Sequence, residues 1–100
     1  MNIEANQVYI FKLVTGEELI ARVEQSHDNY LVISNPISVV ISPQGLQMIP
    51  TLLSAKQEAH VRLNSNSYSM VSEPREDVAD SYRQATTGIT VPPRKQIITG

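Results

Sequence analysis

The chain is predicted to be mainly β: a small, strongly bent, five-stranded antiparallel barrel followed by one C-terminal helix. Three observations carry that prediction. Apolar residues alternate with polar ones at period two on both sides of Thr15-Gly16, clusters of turn-forming residues separate the apolar runs, and after Ser72 the spacing changes to the threes and fours of a helix.

The strands are expected at residues 7–14, 18–25, 30–41, 46–53 and 59–72, the last of them interrupted. On the first, Tyr9, Phe11 and Leu13 share a face; on the second, Leu19, Ala21 and Val23 do, with polar Glu18, Arg22 and Glu24 between them, so one face of the sheet is buried. Thr15-Gly16 and Pro43-Gln44-Gly45 mark tight turns, because glycine takes positive φ without steric penalty. Pro36 and Pro50 fall inside apolar runs, and as proline offers no ladder donor each is expected at an edge, a bulge or a bend. Ser54 to Glu58 reads as a polar loop.

The helix is expected over residues 74–86, opened by Ser72-Glu73-Pro74, favoured by Glu76 and Asp77 at the positive end of its dipole, and stopped by Gly88. Val78, Ala79, Tyr82 and Ala85 form a narrow apolar stripe, suited to packing on the barrel or on a neighbouring subunit. The domain plan is therefore a barrel over 1–73, a packed helix over 74–88 and a tail over 89–100. The tail contains Pro92-Pro93-Arg94-Lys95 without periodicity and is expected to be mobile or ordered only by a partner.

One hundred residues make one domain, able to bury roughly two thirds of its unfolded surface. With no cysteine, the chain has neither disulfides nor thiolate metal sites, which fits a reducing compartment. No charged n-region precedes an apolar run, and no apolar stretch approaches the roughly 20 residues that span a bilayer, so a soluble cytoplasmic protein without membrane contact is expected. A net charge of −2 without blocks of like charge disfavours non-specific duplex binding, but leaves room for single-stranded RNA held by stacking at a few positions.

The densest polar group is Ser26-His27-Asp28-Asn29-Tyr30. The rings of His27 and Tyr30 can stack on a nucleobase, while Asp28 and Asn29 can meet its hydrogen-bonding edge. The same residues also suit a plain turn, with Tyr30 covering the core. Enzymatic motifs are missing: there is no Gly-rich phosphate loop, no Gly-x-Ser-x-Gly, and His27 and His60 stand on different elements without ligand spacing. Neither catalysis nor a cofactor is expected.

The order Leu13-x-x-Gly16-x-x-Leu19-x-Ala21, then a short polar loop and Leu31-Val32-Ile33-x-Asn35, resembles the first motif of the Sm-like family, and Val61-Arg62-Leu63-Asn64 resembles its second, with Leu63 at the glycine position. The resemblance spans about residues 8–72. It implies a bent barrel that closes into rings of five to seven subunits and binds RNA on the lumen side, with His27, Asp28, Asn29, Arg62 and Asn64 facing the RNA. Compact forms with a C-terminal helix look like those carried by bacteriophages, and a phage-encoded protein is expected in the cytoplasm of a bacterial host.

Open strand edges are either blunted or paired. Here the neutral Ser67–Ser72 segment and the apolar Leu46–Leu53 run are unblunted, so Leu46, Met48, Tyr68 and Met70 are the expected contacts of a homo-oligomeric ring. A second reading keeps the ring without nucleic acid: Glu17, Glu18, Glu24 and Asp28 repel phosphate, and the C-terminal helix or its tail could recruit a protein partner.

Overall fold

The computed structural model describes residues 2–56 and 59–87. Six strands and one helix follow in order: β1 (Gln7–Leu13), β2 (Glu18–Ser26), β3 (Tyr30–Ser42), β4 (Gly45–Pro50), β5 (His60–Asn64), β6 (Tyr68–Ser72) and α1 (Glu76–Thr87). All ladders are antiparallel, in the order β4-β3-β2-β1-β6, with β5 added to β3. The expected last strand is two strands, because Ser65–Ser67 forms a single 3-10 turn between β5 and β6. The expected barrel closure is also corrected. Among the described residues no ladder joins β6 to β4 or β5, so the hydrogen-bonded path is open at both ends.

Period-two alternation decides what each face buries. Tyr9, Phe11, Leu19, Ala21, Val23, Leu31 and Ile33 form the main core, against which Leu13, Val61, Leu63, Tyr68 and Val71 pack. The opposite face carries Val8, Ile10, Ile20, Ile37, Val39 and Met48, and α1 lays Val78 and Tyr82 on it. Ala79 is buried as the helical stripe requires, but Ala85 is exposed. The helix packs with its first turns, whereas Arg83, Gln84 and Ala85 are exposed. It opens two residues later than expected, where Asp77 Oδ1 accepts the Val78 N–H. The candidate tail and Gly88 lie outside the described residues.

The two tight turns form as expected, Gly16 at φ +99° and Gly45 at φ +112°. Pro36 follows Asn35, whose φ of +50° marks a bulge where β3 gains one residue on β2. Asn is among the few non-glycine residues that tolerate this conformation. At this bulge β3 changes partner: residues 30–34 pair with β5 and residues 37–42 with β4. Pro50 ends β4, an edge strand, where its missing N–H breaks no ladder.

Tyr82 ties the helix to this bulge. Its hydroxyl donates to Asn35 O at 2.9 Å, with Ser34 O at 3.2 Å, and accepts the Arg22 N–H at 3.2 Å. Burial pushes its pKa up to about 12, partly offset by the Arg22 N–H. The neutral phenol is thus favoured in the folded state. Stability drawn from it is intact below the unfolded value near 10 and is lost as pH rises towards the folded value of about 12. Tyr82→Phe leaves the ring in place but strands the bulge carbonyls and the Arg22 amide, and is expected to cost about 1–3 kcal/mol, measured as a lower midpoint in urea unfolding.

No helix among the described residues is long and apolar enough to cross a membrane.

Candidate nucleic-acid interface

Ladder register brings the sequence-predicted residues together. Along β3, Leu31 and Ile33 enter the core, so Tyr30, Val32 and Ser34 take the opposite face. On β5, Val61 and Leu63 pack on the same core, leaving His60, Arg62 and Asn64 exposed opposite Ser34, Val32 and Tyr30. Arg62 and Asn64 thus share a face with Tyr30 although they lie some thirty positions away in sequence.

The β2–β3 hairpin adds His27. Its N–H donates to Tyr30 O at 2.9 Å, and the imidazole stacks on the Tyr30 ring with centroids 4.5 Å apart and planes 23° from parallel. Arg62 Cζ lies 4.1 Å from the same ring centroid. Arg62 Nε donates to Asn64 Oδ1 at 3.0 Å, so the guanidinium is held along its edge. His27 Nε2 lies 2.9 Å from Gln25 Oε1, a hydrogen bond made with the proton on Nε2. Asp28 and Asn29 are exposed at the hairpin tip. Asn29 O accepts the Ser65 N–H at 3.0 Å, which joins this tip to the chain leaving β5.

These contacts make a small aromatic and cationic surface. An imidazole, a phenol and a guanidinium stack in sequence, with amides of Asn64 and Gln25 at their edges and the carboxylate of Asp28 close by in the chain. Flat rings with amide edges suit an unpaired base, and the guanidinium suits a phosphate or a base face. Glu24 on β2 reaches the same face through Ser34, and its negative charge is paired there. It accepts from Ser34 Oγ at 2.6 Å and faces Arg22 Nε at 3.3 Å. Among the described residues no cluster of three His, Asp or Glu side chains is placed to hold a metal ion.

Two residues join the surface that the sequence did not assign to it. His60 shares the exposed face of β5, which its period-two spacing from Arg62 could have indicated. Gln25 reaches His27 because β2 slips by one residue against β3 between Val23 and Gln25, a bulge with no glycine or proline to announce it. Of the edge residues, Leu46 and Met70 are 48% and 65% exposed, whereas Met48 packs on the helix face and Tyr68 on Phe11, ring centroids 5.0 Å apart.

Neither the known family models nor the curated proteins match this chain.

Proposed function

We propose that the chain is a divergent Sm-like protein that assembles into a homo-oligomeric ring and holds single-stranded RNA on the surface around Tyr30. The observation that carries this reading is the meeting of His27, Tyr30, Arg62 and Asn64 on one face at one end of the sheet.

A strongly bent sheet is part of the reading, and the short link between β5 and β6 supports it. Ser65 N–H bonds Asn29 O beyond one end of β2, while Ser67 O accepts the Val14 N–H before its other end. Ser65 and Ser67 are at most roughly 7 Å apart. The nine-residue β2 would measure about 30 Å if straight. Both contacts fit a curl of β2 and its neighbours, and the bulges at Asn35 and between Val23 and Gln25 are suitable places for that bend.

The strand edges support the ring. Among the described residues β4 is paired only with β3 and β6 only with β1, so each offers an edge for pairing. Head-to-tail pairing of β6 on the β4 of the next copy is heterologous and closes when the rotation permits, here at five to seven copies if the Sm-like pattern holds. Each subunit then presents one weak site and the ring supplies the avidity. His27→Ala and Arg62→Ala are each expected to weaken binding of a single-stranded RNA about tenfold, with the oligomer unchanged, read by fluorescence anisotropy. Unaltered affinity in both variants removes the site.

A second reading, a protein-binding scaffold of the same ring without RNA, is favoured by one observation. From Leu31 to Ala55 there is no charged residue. The β3–β4 arm exposes Ile41 at 83% and the segment after it exposes Leu53 at 86%, and exposed apolar patches of this kind mark interaction surfaces. Binding of RNA by the assembled ring separates the two readings.

A further inference from the structure

The RNA reading leaves open which ring a base would use, and the column around Tyr30 narrows the choice. Stacking needs a free aromatic face. Over Tyr30–Ser34, β2 and β5 pair with opposite edges of β3, so His27 and Arg62 approach Tyr30 from opposite sides. The imidazole centroid lies 4.5 Å and the guanidinium carbon 4.1 Å from the centroid of the phenol ring. Two flat groups this close to one ring would collide on a single face, so we infer that they cover opposite faces. Tyr30 is half-buried, whereas His27 and Arg62 are exposed.

We propose that Tyr30 is a positioning residue and not the base platform: it holds His27 and Arg62 as the two ends of a column, and an unpaired nucleobase stacks on the outward face of His27. This rests on the RNA-binding reading. His27 is prepared for that part. Its backbone N–H is tied to Tyr30 O and its Nε2 to Gln25, so the ring is held by an edge and by one face, leaving the other face for a ligand. Arg62 is held likewise through Nε by Asn64 and ends the column with a positive charge that a phosphate of the same strand can meet. A base inserted between His27 and Arg62 would first have to expel the Tyr30 ring from two stacking contacts.

The test uses the full chain and an eight-nucleotide single-stranded RNA carrying one 2-aminopurine, whose fluorescence falls when it stacks. Wild type and Tyr30→Phe are expected to quench the probe and to bind within about twofold of each other, since the hydroxyl takes no part in stacking. His27→Ala is expected to abolish quenching and weaken binding about tenfold. Tyr30→Leu is expected to weaken binding about threefold to fivefold, and its His27 imidazole proton resonances are expected to move downfield as the ring current of Tyr30 is removed. A fold or assembly defect alone would not reproduce that shift in a variant whose ring is intact by native mass spectrometry. Tighter or unchanged binding by Tyr30→Leu, or quenching retained in His27→Ala, would overturn the assignment while leaving RNA binding itself in place. Failure of the wild-type ring to bind the probe would overturn both together.

Discussion

Replacing Phe11 by alanine is expected to lower the unfolding free energy by about 3–5 kcal/mol. Phe11 has no exposed surface and lies on β1, the strand between β2 and β6, opposite Leu19 on one side and Val71 on the other. Its ring meets Tyr68 edge-on at 5.0 Å and lies 6.4 Å from Tyr9, so truncation leaves a cavity bounded by three strands. A domain of this size has about 5–15 kcal/mol in total, and the variant should sit near the edge of folding. Urea unfolding followed by circular dichroism gives the number. A loss below about 1 kcal/mol would mean that β6 can close over the gap, and would contradict the packing described for β1 and β6.

Met70→Asp is expected to convert the assembled protein to monomers of 11.1 kDa without altering the fold. Met70 is 65% exposed on edge strand β6, opposite Lys12 of β1, and makes no part of either core cluster. A carboxylate there is solvated in the monomer. Pressed between two subunits it would lose its hydration, at a cost of several kcal/mol per interface even with Lys12 opposite. Leu46→Asp, on the opposite edge, should give the same result, because a head-to-tail contact joins unlike surfaces. Sedimentation velocity reads the mass and circular dichroism the fold. Tyr68→Asp is unsuited to this purpose: Tyr68 packs on Phe11, so its loss would damage the core before the interface. Oligomers that persist in both edge variants would exclude pairing between β4 and β6.

Period-two alternation made most of the sheet legible, since Tyr9, Phe11, Leu19, Ala21 and Val23 enter the core as the pattern requires. Turn chemistry marked Gly16 and Gly45, and Pro36 marked the bulge. The split of the last strand was less legible. Ser65, Asn66 and Ser67 are neutral polar residues that suit an edge strand as well as a turn, and their 3-10 conformation follows from where Asn29 and Val14 hold them. Whether ladders close depends on hydrogen bonds between residues far apart in sequence, which a local pattern does not encode. The exposure of Ala85 has a similar origin, because the helix is anchored early by Val78 and by the hydroxyl of Tyr82.

The residues of the candidate site were legible in the sequence, but their spatial order was not. His27 and Tyr30 could be singled out by residue type, Arg62 and Asn64 by their resemblance to the second Sm-like motif, and alternation put Arg62 and Asn64 on one side of β5. That the Tyr30 ring lies between His27 and Arg62 could not be read, since it depends on β2 and β5 flanking the same half of β3. Gln25 was hidden for a related reason. The bulge that brings it beside His27 arises from the pairing and leaves no mark in composition.

The measurement that bears most directly on the central claim is native mass spectrometry of the gently purified protein, before and after incubation with mixed single-stranded RNA at low salt. One spectrum reports copy number and retained nucleic acid together. The account predicts a single closed species of five to seven 11.1 kDa subunits that gains the mass of RNA. Monomers alone, or rings that stay bare after incubation, would contradict it.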